Sequence, residues 1–110
     1  ESYLIDLQIN YDSAQISLSD LSTENSICAK IFQNQIDPLA NKVSFSCQID
    51  QNNLSELSRK TLFSLKITPL LTGFSNINLD TSYSYIQTST EKITNIMQSA
   101  INGENIYISQ

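Results

Sequence analysis

Tyr3-Leu4-Ile5-Asp6-Leu7-Gln8-Ile9-Asn10-Tyr11 is the stretch whose reading decides the fold. Tyr3, Ile5, Leu7, Ile9 and Tyr11 occupy one parity; Leu4, Asp6, Gln8 and Asn10 occupy the other. Successive side chains of a strand point to opposite faces, so the pattern describes a half-buried strand with one dry side.

Working outward, the same period of two returns along the chain. After a turn at Tyr11–Asp12–Ser13, Ile16 and Leu18 open a short second strand, and Ile27 to Gln33 reads as a third. Val43, Phe45, Cys47 and Ile49 alternate with Ser44, Ser46 and Gln48 in a fourth, and Phe63, Leu65 and Ile67 alternate with Ser64 and Lys66 in a fifth. Phe74 to Leu79, Ser82 to Thr88 and Asn105 to Ser109 supply three more. Thr72–Gly73 and Asn102–Gly103 are turn signals, the second the stronger. Leu54, Leu57 and Ser58, following Asp50–Gln51–Asn52–Asn53, suggest one helical turn. Thr90 to Ile101 has Ile93, Ile96 and Ile101 near helical spacing, with Ser89 or Thr90 as an N-cap, but reads better as strand or extended loop. Short strands at this spacing predict an all-β fold, a jelly-roll or Greek-key β-sandwich of about eight to nine strands. Its two sheets bury one face each against the other. No composition break or internal repeat divides the chain, so residues 1–110 are expected to form a single domain.

Composition narrows the function classes. Ser, Thr, Asn and Gln fill 45 of 110 positions, whereas charged residues make up only 15%. Solubility therefore rests on neutral polar groups. The net charge is −5 with six Lys and Arg, too sparse for a basic patch that would neutralise phosphates, which argues against nucleic acid and anionic membrane as partners. No apolar run reaches the ~20 residues of a spanning helix, so membrane insertion is not expected. The chain opens at Glu1 without Met and reads as a processed product or an excised piece, and its acidic, lysine-poor character fits an extracellular or cell-surface protein.

The chemistry of an enzyme is missing. Without His there is no Ser–His or Cys–His nucleophile pair, and two Cys alone cannot close a zinc site. No phosphate-binding loop, dinucleotide fingerprint or HExxH motif occurs, so no cofactor is expected. Asp6, Asp12, Asp20 and Glu24 lack the spaced pattern of a calcium loop and read as a solvated acidic face. Tyr83 and Tyr85 share one face of a strand; that face is expected to pack inward, the alternative being a small sugar platform. Asn53–Leu54–Ser55 matches a glycosylation acceptor, a triplet common by chance in so Asn- and Ser-rich a chain. The chain is expected to be non-catalytic.

Cys28 and Cys47 admit two readings. If Ile27–Gln33 pairs antiparallel with Val43–Ile49 about Asp37–Pro38, Cys28 falls opposite Cys47, Lys30 opposite Phe45 and Phe32 opposite Val43. Directly opposed Cβ atoms lie about 4.5–5.5 Å apart, within reach of a disulfide. Otherwise both thiols are free and pack as small apolar groups.

The order of these features resembles a cohesin domain. Ile5–Asp6–Leu7–Gln8–Ile9–Asn10–Tyr11–Asp12 is similar to that family's third strand, Ile16–Ser17–Leu18 to its fourth, and Lys42–Val43–Ser44–Phe45–Ser46–Cys47 to its fifth. Leu62–Phe63–Ser64–Leu65–Lys66–Ile67 resembles the sixth and Gly73–Phe74–Ser75–Asn76–Ile77–Asn78–Leu79 the seventh. Ile101–Asn102–Gly103 and Ile106–Tyr107–Ile108 resemble the closing turn and ninth strand. The family's first two strands have no counterpart here: they are absent, supplied by another chain, or replaced by a different strand order.

The resemblance implies non-covalent protein recognition, usually of a calcium-loaded dockerin, on a face built from the third, fifth, sixth and eighth strands. Its outward residues here would be Leu4, Asp6, Gln8, Ser44, Ser46, Gln48, Ser64 and Lys66. Asp6 falls on a matching Asp, whereas Leu4 stands where the family often has Asn. A structural subunit of a surface filament or pilus, completed by a neighbour's strand, is the rival expectation. A carbohydrate-binding module is a further one.

Overall fold

In the computed structural model, residues 2–57, 60–71, 77–94, 97–98, 105–106 and 108–109 are described. The strands are β1 (Ser2–Tyr11), β2 (Ile16–Ser22), β3 (Lys30–Asp37), β4 (Lys42–Asp50), β5 (Phe63–Pro69), β6 (Ile77–Leu79), β7 (Tyr85–Gln87), β8 (Lys92–Ile93), β9 (Met97–Gln98), β10 (Asn105–Ile106) and β11 (Ile108–Ser109). A single 3-10 turn, Gln51–Glu56, is the only helical element among the described residues. The fold is all-β, antiparallel and sandwich-like, as the alternation predicts. No helix among the described residues is long and apolar enough to cross a membrane.

The larger sheet runs β3-β4-β1-β7-β8, with β6 also against β1; the smaller runs β10-β5-β2, and β11 pairs with β9. β1 lies in the middle of the larger sheet. Ile5, Leu7 and Ile9 oppose Cys47, Phe45 and Val43 of β4, and all six are essentially solvent-free. Ile16 and Leu18 of β2 and Phe63 and Leu65 of β5 come from the smaller sheet into the same core. The rings of Phe45 and Phe63 stack across the two layers, with centroids 4.3 Å apart. Each such residue gains roughly 1.5–3 kcal/mol by leaving water.

Local chemistry sets the turns. At the β3–β4 turn Asn41 takes a left-handed φ of 57°, which its short amide side chain tolerates. Its Oδ1 accepts the Ser13 amide (3.0 Å) and hydroxyl (2.6 Å), tying this turn to the one between β1 and β2. Asp50 caps the 3-10 turn by accepting the Asn52 amide at 2.8 Å.

Several expectations are corrected. The third strand is Lys30–Asp37, not Ile27–Gln33. In its ladder with β4, Lys30 opposes Gln48, Ile31 opposes Cys47 and Ile36 opposes Val43, with a bulge between Ile31 and Gln33. Cys28 therefore precedes the strand and does not sit opposite Cys47, yet the two do form a disulfide, Cα to Cα 5.8 Å. The reason lies in the crossing from the smaller to the larger sheet: Ile27 donates to the Thr61 carbonyl, the Ser26 hydroxyl to that of Leu62, and Ala29 to that of Gln48. This brings Cys28 onto the inward-facing Cys47 from the end of the sandwich. Second, β5 lies in the smaller sheet and β1 pairs directly with β4, so among the described residues β5 shares no face with them. Third, Tyr83 and Tyr85 do not pack inward; Ser84 and Ile86 do, and Tyr83 is 65% exposed. The Ser82–Thr88 strand shortens to Tyr85–Gln87, and Asn105–Ser109 divides between two sheets. The turns at Thr72–Gly73 and Asn102–Gly103, and most of the stretch before Ile77, lie outside the described residues.

Candidate recognition face

The wet parity of β1 forms the centre of the larger sheet's outer face. Leu4, Asp6 and Gln8 oppose Gln48, Ser46 and Ser44 of β4. Six of the eight expected site residues thus come together as three cross-strand pairs. Ser64 and Lys66 do not join them. They belong to β5, paired with β2 and β10 in the other sheet.

Polar groups on this face are locally tied. The Ser44 hydroxyl donates to Gln8 Oε1 at 2.8 Å, and the Tyr85 hydroxyl donates to Asp6 Oδ2 at 3.3 Å. Burial, then the charge and hydrogen bond of Asp6, push the Tyr85 phenol above its ordinary pKa. Burial and the Asp37 charge do the same to Tyr11.

Of the chain's six Lys and Arg, three stand on this face, each over an aromatic ring. Lys92 lies 4.1 Å from the Tyr85 centroid, Lys42 5.4 Å from that of Tyr83, and Lys30 5.4 Å from that of Phe32. Such pairs contribute about 0.5–1 kcal/mol each at exposed sites.

At the end of the face where β1 begins, Ser2, Tyr3, Leu4, Phe32, Ser46 and Gln48 line an open depression of about 540 Å³. Its rim is Phe32, which shares the outer side of β3 with Lys30 just before the bulge and is 54% exposed. Ser46, 7% exposed, is one of two buried polar residues among those described. Its hydroxyl has no hydrogen-bond partner among them, unlike its neighbour Ser44 and the other buried serine, Ser84. A serine hydroxyl in the lining of an otherwise apolar depression offers a donor and an acceptor at its wall.

Tyr3, Phe32 and the three lysines were not among the expected site residues. Two of the three Lys-aromatic pairs, Lys42–Tyr83 and Lys92–Tyr85, join residues of different strands, and the expected register with β4 places Phe32 opposite Val43, on the core side. Phe32 and Lys30 stand two apart, the spacing of strand neighbours on one side, and this was the one local signal available. No protein-family model, curated protein or solved structure matches this chain.

Proposed function

We propose that the chain is a non-catalytic, extracellular protein-recognition module that takes its partner on the outer face of the larger sheet. The mostly apolar depression at Leu4, Phe32 and Gln48, with Ser46 in its lining, carries this reading. Its volume of about 540 Å³ suits one or two large side chains, and a partner residue with an apolar body and a polar tip would fill it. Interface energy concentrates in such anchored pockets, surrounded by polar contacts that exclude water. The flanking Asp6, Gln8, Ser44 and Gln48 supply that polar rim. A calcium-loaded dockerin-type helix pair is the partner class that the cohesin resemblance implies. The Cys28–Cys47 disulfide fits an oxidising, extracellular setting.

A carbohydrate partner is less favoured. Sugars stack on free aromatic faces, but Tyr83 and Tyr85 each carry a lysine over the ring, which a sugar would have to displace.

Calorimetric titration against a panel of calcium-loaded dockerin modules tests the proposal. We expect saturable binding by at least one, weakened at least tenfold (about 1.4 kcal/mol) by Phe32→Ala. Silence across the panel, together with retention on polysaccharide that Tyr83→Ala abolishes, would overturn it.

A further inference from the structure

We propose that β3 is the seam of a two-fold homodimer, in which the edge strands of two copies pair antiparallel about Asn34. Among the described residues β3 is paired on one side only, by β4. With eight residues it is the longest strand at an edge of either sheet. The other edges end differently: β2 is bent by a register shift between Ser19 and Ser22, and β8 has two residues.

The hydrogen bonds of β1 and strand geometry fix the direction of the backbone groups. The Gln8 amide and carbonyl bond Ser84 Oγ and the Asp80 amide, away from β4. Alternate residues of a strand direct their backbone groups to opposite edges, so Leu7 and Ile9 face β4. Phe45 and Val43 then face β1, and Ser44 between them faces β3. Gln35 consequently bonds Ser44, while Asn34 and Ile36 aim their N–H and C=O groups at the open edge.

The strand is self-complementary about Asn34. In a two-fold antiparallel pairing, Asn34 meets Asn34 of the second copy, and the Phe32–Gln33 bulge meets Gln35. Ile31 then meets Ile36, and Lys30 meets Asp37. Faces agree throughout. Ile31 and Ile36 both oppose core residues of β4, Cys47 and Val43. Lys30 and Asp37 both oppose outer-face residues, Gln48 and Lys42. The two-fold axis places an opposite-charge pair at each end of the seam, and neither Lys30 nor Asp37 has an ion-pair partner among the described residues. Gln33, Asn34 and Gln35 are exposed and uncharged, so nothing repels a second strand at the centre. Edges meant to stay single usually carry a charge or Pro there.

Two-fold contacts of this kind are the commonest in soluble oligomers, and the larger sheets of two copies would continue as one. The recognition faces would then lie side by side, making the pair bivalent toward a repeated partner. Dimerisation does not depend on the recognition proposal and is read by mass alone.

Sedimentation velocity on the full chain, from about 1 μM to about 1 mM, tests it. We expect a monomer–dimer equilibrium. Asn34→Pro removes an N–H that the fold leaves unbonded and is tolerated on an edge; circular dichroism should be unchanged while the dimer weakens at least tenfold, about 1.4 kcal/mol. Lys30→Glu should weaken it to a similar degree, and the exchange Lys30→Asp with Asp37→Lys should restore it to within about threefold. A wild type that stays monomeric throughout, or an Asn34→Pro variant that dimerises as tightly, would overturn the proposal.

Discussion

β1 has two seams, and they are built differently. Toward β4 its pairing runs unbroken from Ser2↔Asp50 to Asn10↔Lys42. Toward β6 and β7 it breaks: Ile9 opposes Leu79 and Asp6 opposes Tyr85, so three steps along β1 match six along the partner. At the break the Ser84 hydroxyl accepts the Gln8 amide at 3.0 Å and approaches its carbonyl at 3.3 Å, while the Asp80 amide donates to that carbonyl at 2.7 Å. A serine side chain stands in for the missing main chain. One strand can therefore be held on one side by backbone periodicity and on the other by a specific hydroxyl.

The largest effect should come from the regular seam. Phe45→Ala removes the ring that joins the layers and should cost about 3–5 kcal/mol in chemical denaturation, near the whole stability of many domains. A loss below ~1 kcal/mol would mean that the layers do not meet there.

Removing the disulfide comes next. Cys28 and Cys47 are 19 residues apart, and Cys28→Ala with Cys47→Ala should cost about 3 kcal/mol. Mass spectrometry of the wild type should show two alkylated thiols only after reduction.

Ser84→Ala should cost roughly 1–3 kcal/mol, because the Gln8 amide is left unpaired beside a buried site. It should also deprotect Gln8 selectively in amide hydrogen exchange, with Leu7 and Ile9 unchanged. If Gln8 keeps its protection, the broken seam is held by something other than the hydroxyl.

The smallest effect is a titration. Tyr85 and Tyr11 should ionise above the ordinary tyrosine pKa of about 10, and Asp6→Asn should lower that of Tyr85 alone. A pKa raised by folding contributes stability that is complete below the unfolded value. Stability should therefore hold to about pH 10 and fall as pH rises beyond it.

The contrast also explains what could be read from the chain. Ile5, Leu7 and Ile9, with Val43, Phe45 and Cys47, are buried at the parity their alternation announces, because a regular ladder transmits period directly into burial. Six of the site residues follow as the other parity of the same two strands. The rest was hidden by irregularity. The β3–β4 ladder runs three residues away from the expected register before its bulge and four after it, so the bulge accounts for only one of these, and Lys30 and Phe32 stand outside while Ile31 faces in. The insertion before Ser84 turned Tyr83 and Tyr85 outward. Placement of β5 in the second sheet depended on which layer receives Phe63, and alternation alone cannot distinguish layers. The sequence admits the disulfide as one of two outcomes, but through a register the fold does not use.

Nuclear Overhauser contacts between α-protons across β1 offer the most direct check on the arrangement that builds the recognition face. Asp6↔Ser46 and Gln8↔Ser44 are the close, non-hydrogen-bonded pairs of that ladder, with Cα atoms about 4.5 Å apart, and should give strong contacts. Strong contacts from Asp6 or Gln8 to Ser64 or Lys66 instead would put β5 beside β1 and dismantle the face described here.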